Sequence, residues 1–325
     1  MSDRFIGLDV GGTKIASATL TDGELSESTL VETAIDDRDR LLGQLVDAVE
    51  GLRDGEVRAV GVGVPSVVDF KTGRIRSSVN IPLSDVPLRE LLTDRLGLPV
   101  FVDNDASCAA LAEAFEDGRF TCPDLVMFTI GTGVGGGTVL GGSLYRGATG
   151  AAPEIGHQII GMDLSEGDHS PDADFPQPGS LEALASGRAL DRLALDAARR
   201  HPDSFLGKRL SADRHVTGHD CVAGAQAGDE VATRCLRILG ERLGIGIANA
   251  INLYDPLEVV IGGGVSTAGE LLLEPARRVA FRHVPPGVGS KTKIRPARHG
   301  PRAGVLGAAL IAAQEWELDG KEGGS

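Results

Sequence analysis

Short apolar runs alternate with longer amphipathic stretches along this chain. The runs at 4–10, 15–20, 57–64 and 99–103 are continuous and rich in branched residues, which predicts buried strands. Between them Leu41, Leu42, Leu45, Val46 and Val49 recur at the 3.6-residue period and predict a helix over 39–53. A second helix is expected from Asn104, a capping residue type, through Phe115, with Gly118 ending it. The alternation restarts at Leu125. Strands are expected over 125–130, 138–140 and 257–261, and helices over 181–200, 230–253, 267–281 and 304–317. Gly244, Gly246 and Ala248 make the 230–253 helix narrow enough for close packing. The segment 161–179 has no period and carries Asp163, Glu166, Asp168, His169, Asp172 and Asp174, so it reads as a solvated loop; 319–325 reads as a frayed tail. Strands separated by helices imply an α/β protein with parallel or mixed sheets.

Two of the strands run into glycine-rich turns. Asp9-Val10-Gly11-Gly12-Thr13-Lys14 follows the first, and Gly131-Thr132-Gly133-Val134-Gly135-Gly136-Gly137 follows the run at 125–130. Glycine tolerates positive φ and lets backbone N–H groups approach a ligand, which suits a phosphate. Two such turns in corresponding places suggest a nucleotide between two similar halves. Gly131, Gly133 and Gly136 also fit Gly-x-Gly-x-x-Gly, but a strand follows rather than a helix, which argues against a dinucleotide fold. Nor does a Gly-Lys-Ser/Thr ending make it a P-loop.

Composition narrows the class. With 325 residues, 42% hydrophobic and 45 glycines, the chain is long enough for two cores and rich in tight turns. No apolar stretch is long enough to span a bilayer, and the four scattered cysteines show no Cys-x-x-Cys spacing, so a reduced cytoplasmic protein is expected. A net charge of −14 disfavours nucleic acid as a partner. The basic residues are 26 Arg against six Lys. A GC-rich genome or adaptation to high salt both account for that bias.

Several polar groups sit where chemistry could occur. Asp9 ends a strand beside the first turn, where a carboxylate either holds Mg²⁺ through water or caps its own turn. Asp103-Asn104-Asp105 lies at a strand-to-helix junction. The exposed N–H groups there favour an ionised carboxylate, which fits a general base, and also fit plain N-capping. Glu154, His157 and Glu182 offer donors and acceptors for vicinal hydroxyls; a lone histidine by itself is more often structural.

Taken together the motifs resemble the ROK family of sugar kinases, within the actin/hexokinase-like ATPase superfold. The matching pieces are DVGGTK at 9–14, DNDA at 103–106, GTGVGGG at 131–137, EIGH at 154–157, LEALASGRAL at 181–190, IGGGV at 261–265 and GVLGAAL at 304–310. The resemblance implies two ribonuclease H-like (actin-like ATPase) domains with a cleft between them: 1–117 plus the helix 304–317, and 118–303. It implies ATP and Mg²⁺ as cofactors and transfer of the γ-phosphoryl group to the 6-hydroxyl of glucose, a glucokinase activity. Asp105 would be the general base, with Asn80, Asn104, Glu154, His157 and Glu182 on the other hydroxyls. Asp9, Gly11, Gly12, Thr13, Lys14, Thr132, Gly133, Gly135 and Gly136 would hold phosphates and Mg²⁺, and Gly263 and Gly264 would border the adenosine. A homodimer or homotetramer is expected by the same resemblance. Fructokinase, N-acetylhexosamine or N-acetylmannosamine kinase and polyphosphate-dependent glucokinase are the neighbouring activities. A sugar-responsive repressor is disfavoured, because no helix-turn-helix precedes the first strand.

Three departures from the family stand out. Its members usually carry zinc on the EIGH histidine and three cysteines, yet 158–182 here contains none, so zinc is expected to be absent. His169 with aspartates is the alternative ligand set. Pro153 replaces the usual glycine, and Leu83-Ser84-Asp85 stands where a Trp is common. The last two lie near the expected sugar pocket and bear on which sugar is taken.

Overall fold

The computed structural model describes residues 3–78, 80–165, 167 and 174–322. Two compact units emerge. The first gathers Met1–Leu125, Gly137–Pro153 and Arg298–Ser325; the second gathers Val126–Gly136 and Glu154–Ala297. These limits differ from boundaries at 117/118 and 303/304. The small hairpin Phe115–Glu116 with Arg119–Phe120 stays with the first unit, and so does the stretch that includes Ser143–Leu144.

In the first unit, Arg4–Val10 lies antiparallel to Lys14–Thr21 and parallel to Val57–Val64, which lies parallel to Val100–Asn104. Both faces of this sheet are covered, which is why its strands read as unbroken apolar runs. The helix Arg38–Glu50 buries Leu41, Leu42, Leu45 and Val49, the periodic set expected from sequence. On the sheet lies the helix Ala303–Glu322. It reaches this closely because Gly7 and Gly61 are register partners and form a bare strip of backbone. A Cβ on Gly7 would stand 2.1 Å from the carbonyl oxygen of Val305, and one on Gly61 1.8 Å from that of Ala308.

The second unit holds 134–136 of the strand Val134–Leu140, 126–130 of the strand Leu125–Ile130, and Glu258–Gly262 and Lys293–Pro296 as neighbouring strands, the last pair parallel. Its core includes Phe128, Ile130, Leu181, Leu236, Leu243 and Ile261, all fully buried. The helix Glu230–Tyr254 packs on Glu270–Arg282 through Gly240 and Gly244, whose Cβ atoms would meet backbone oxygens of Leu272 and Ala276. Gly246 makes room for Leu181 instead.

Several elements depart from the sequence expectation. The 181–200 stretch is two helices, Leu181–Ala185 and Gly187–Arg200, because the Ser186 side chain caps the second by accepting from the Ala189 N–H. The helix expected from Thr267 begins after Gly269, at Glu270. The last helix continues to Glu322, beyond the fray expected from 319. Leu88–Leu96, Phe205–Asp213 and Gly218–Gln226 are further helices whose apolar patterns were too short to stand out. No helix among the described residues is long and apolar enough to cross a membrane.

The close seating of the last helix gives a contrast between two glycines. Gly61→Ala should cost about 3 kcal/mol through overpacking, read as a lower denaturant midpoint. Gly43→Ala, inside the helix Arg38–Glu50 with nothing within 4 Å of its Cβ, should instead stabilise by about 0.5–1 kcal/mol. A wild-type midpoint for Gly61→Ala would contradict the packing described.

Candidate active site

The expected site residues fall into two sets, one in each unit. Asp9 to Lys14, Asn80, Asn104 and Asp105 belong to the first; Thr132 to Gly136, Glu154, His157, Glu182, Gly263 and Gly264 belong to the second.

In the first unit the turn after Asp9 is closed by the Gly11 N–H donating to the Lys14 carbonyl at 2.9 Å. Thr33 steadies it from outside: its hydroxyl donates to the Gly11 carbonyl at 2.7 Å and its N–H to the Thr13 carbonyl at 3.0 Å. The N–H groups of Gly12 and Thr13 have no partner among the described residues, and both residues are exposed. Lys14 is exposed and makes no ion pair among the described residues. Free N–H groups and a free ammonium are what an anion needs. Asn80 stands beside this turn, its Cβ 3.5 Å from where a Gly12 Cβ would be.

Neither glycine turn uses the left-handed region: none of Gly11, Gly12, Gly131, Gly133, Gly135 and Gly136 has positive φ. At Gly133 and Gly136 the reason for glycine is room, whereas a Cβ on Gly131 would meet nothing within 4 Å and one on Gly12 only ordinary contacts. A Cβ on Gly133 would stand 2.4 Å from a Glu182 carboxylate oxygen, and one on Gly136 2.0 Å from the Ile155 side chain.

Asp9 is held differently from a capping aspartate. Its carboxylate accepts no side-chain-to-backbone bond from its own turn, and Gly304 clears space for it: a Cβ there would lie 2.3 Å from Asp9 Oδ2. Burial, and then the negative charge of Asp105, push its pKa up to about 7. A buried carboxylate with a like-charged neighbour and no cationic partner is a seat for a cation, so the residues present fit Mg²⁺.

Asn104 is the N-cap of Asp105–Glu113, its side chain accepting from the N–H groups of Ala106 at 2.9 Å and Ser107 at 3.2 Å. Capping is therefore carried mainly by Asn104. Asp105 Oδ1 accepts from the Ala106 N–H at 2.8 Å. The helix N-terminus does not keep Asp105 as acidic as the sequence suggests. Burial outweighs the N–H groups and raises its pKa to about 6.

In the second unit the turn at 131–133 is braced by Gly187–Arg200: the Gly187 N–H donates to the Gly131 carbonyl at 2.7 Å. The N–H groups of Thr132 and Gly133 are left without partners among the described residues. Glu182 ties the polyol set to this turn, since its Oε2 accepts from the Val134 N–H at 2.8 Å. Glu154 is close to both other members. Burial first and then the Glu182 charge raise its pKa, while His157, whose Nε2 lies 3.8 Å from Glu154 Oε2, pulls it down. His157 Nδ1 is buried with no hydrogen-bond partner among the described residues, and its ring meets Phe175 edge to face at 5.2 Å. Zinc is a poor fit to the described residues: no three His, Cys, Asp or Glu groups gather there, and the four cysteines are buried elsewhere. The alternative ligands Asp168, His169 and Asp172 lie outside the described residues, as does Glu166.

A cavity of about 370 Å³ opens beside the turn, lined by Gly131, Thr132, Arg188, Asp191, His219 and Gly264 among others. Gly263, which precedes the lining residue Gly264, has a positive φ of 85°, and a Cβ there would lie 2.5 Å from the Ile130 carbonyl oxygen. The cavity has the size and mixed lining of a small-molecule pocket. Arg188 lies within the LEALASGRAL motif. Asp191 and His219 carry no sequence signature: Asp191 enters by accepting from the Gly218 N–H, a contact across 27 residues.

The raised pKa of Asp9 has a measurable consequence. Unfolded, the group ionises near 3.8; folded, near 7. Its ionisation therefore weakens the fold progressively as pH rises from about 4 to about 7, by at most about 4 kcal/mol. Asp9→Asn does not titrate. In metal-free buffer it should gain stability over wild type across that window and match it near pH 4, as followed by denaturant midpoint. A constant difference across pH would contradict this.

A model of the ROK family matches residues 5–315. The glucokinase of Halalkalibacterium halodurans is 35% identical over 97% of this chain and 97% of its own. Among solved structures, a ROK family glucokinase from Streptomyces griseus in complex with glucose and AMPPNP is 34% identical, with a TM-score of 0.75 over 96% of this chain and 99% of that one. The ROK hexokinase of Thermus thermophilus is 35% identical, with a TM-score of 0.77 over 97% and 99%. The α/β fold expected from sequence is the one these proteins share, and the chain belongs to the ROK family.

Proposed function

We propose that this chain is an ATP-dependent glucokinase that transfers the γ-phosphoryl group to the 6-hydroxyl of glucose. The observation that carries the reading is Asp105. It is a buried carboxylate held at a helix start, where Oδ1 accepts from the Ala106 N–H, and its pKa is about 6. Such a group is ionised roughly ten to one at pH 7, yet basic enough to take a proton.

Asp105 accepts the proton of the sugar hydroxyl as the oxygen–phosphorus bond forms and the bond to the ADP oxygen breaks. Deprotonation is gradual, because phosphoryl transfer is loose and depends on alignment and charge neutralisation more than on a strong base. Gly11, Gly12, Thr13 and Lys14 of the first unit and Thr132, Gly133, Gly135 and Gly136 of the second bind phosphate oxygens. Asp9 would hold Mg²⁺ through water, which supplies positive charge to the transferring group when bound. Asn80, Asn104, Glu154, His157 and Glu182 take the remaining hydroxyls, and Gly263 and Gly264 border the adenosine. The similarity to a glucokinase that binds glucose and AMPPNP supports glucose and ATP over the neighbouring sugars and polyphosphate. A homodimer or homotetramer working in the cytoplasm completes the proposal.

Asp105→Ala should abolish ADP release while sparing glucose binding by calorimetry; retained turnover would overturn the base. In wild type, kcat/KM should fall tenfold per pH unit below about 6, since the free enzyme's base is then protonated. A coupled ADP-release assay across glucose, fructose, mannose, N-acetylglucosamine and N-acetylmannosamine should give glucose the highest kcat/KM. Preference for another sugar would move the assignment within the family.

A further inference from the structure

Asp103, next to the base in sequence, is 2% exposed and therefore needs a partner. It has one in Arg146, which lies 43 residues away. Arg146 Nε donates to Asp103 Oδ2 at 2.7 Å, and Nη2 donates to Glu315 Oε1 at 3.2 Å. The guanidinium also lies over the Phe70 ring, 3.4 Å from its centroid. Two carboxylates and an aromatic face thus fix one cation in position and orientation.

The other oxygen of Asp103 carries the restraint onward. Oδ1 accepts from the Asn104 N–H at 2.8 Å, at the point where the strand Val100–Asn104 ends. The Asn104 side chain then donates to the Ser66 carbonyl at 3.3 Å and caps the helix that begins with Asp105. The two oxygens of Asp103 thus face different partners, Oδ2 the cation and Oδ1 the backbone of the cap. We propose that Arg146 is a positioning residue for Asp105, acting through Asp103 and the Asn104 backbone. This rests on Asp105 being the base.

Without Arg146 the buried Asp103 loses its cation. Burial already pushes its carboxyl up and Arg146 is the strongest influence pulling it back, so the group would take up a proton. A neutral acid is a weaker acceptor for the Asn104 N–H, and the cap with the base behind it would lose its fixed place. A displacement of about 1 Å at a reacting group costs about 10²-fold in rate.

The test is a double-mutant cycle with Arg146→Met and Asp103→Asn, read by steady-state kinetics with glucose and ATP. Each single variant should lower kcat about 10- to 100-fold, with KM for ATP within about twofold and glucose binding by calorimetry within about threefold. The double variant should be no slower than the slower single, because both act on one path. A purely structural role would lower the denaturant midpoint and leave kcat of the folded enzyme alone. That result, losses that multiply in the double variant, or a change confined to KM would each overturn the proposal. If Arg146→Met does not fold, Arg146→Lys keeps the charge but not the paired contacts and should still lower kcat severalfold; wild-type kcat there is equally fatal. Asp105→Asn separates the two levels. If it is active, the base itself is misassigned. If it is inactive while Arg146→Met turns over normally, only the positioning role falls.

Discussion

The first unit depends on a helix lying against bare backbone. Ala303–Glu322 touches the sheet at Gly7 and Gly61, the Asp9 carboxylate at Gly304 and the carbonyl of Cys108 at Gly307. Those four glycines bring the strand that ends at Asp9 and the helix that starts at Asp105 against one common neighbour. Side chains there would push each apart by the width of a methyl group or more. The separation of Asp9 from Asp105 is thus set by main-chain contacts, the least adjustable kind in a packed interior. Glu315, further along the same helix, reaches Arg146. One element therefore limits where Asp9 can sit and also braces the path behind Asp105.

The second unit uses glycine in the same way. Gly133 leaves room for Glu182, Gly136 for Ile155, and Gly156 for the carbonyl of Val134. The turn at 131–137 and the EIGH segment are fitted to each other, so Glu182, Ile155 and the turn share one packed body. That coupling accounts for seven glycine and polar motifs being spread over the chain rather than gathered in one stretch.

Much of this was legible in the sequence, for physical reasons that can be named. Continuous apolar runs marked the central strands because both sheet faces are covered. The glycine turns stood out in the sequence, although none of their glycines has positive φ and at Gly133 and Gly136 the need is for neighbour volume. Asn104 was legible as a cap because capping is local. What stayed hidden depends on distance or on burial. Arg146 meets Asp103 across 43 residues, and no spacing rule connects them. Asp105 looked acidic from its helix N-terminus, but the opposing burial is a property of the whole unit. The break at Ser186 was invisible because the apolar period continues across it.

The first unit is assembled from three separated stretches, with 126–136 and 154–297 of the second unit lying between them. During synthesis the second unit's residues are therefore complete before 298–322 has been made. Until then the strip formed by Gly7 and Gly61 has nothing to cover it, and Ala16 and Ala18, which cluster with Val305, lack that neighbour. The unit begun first is finished last. A nascent chain of this protein carries an open apolar sheet for nearly its whole passage through the ribosome, and relies on its last helical segment to close it.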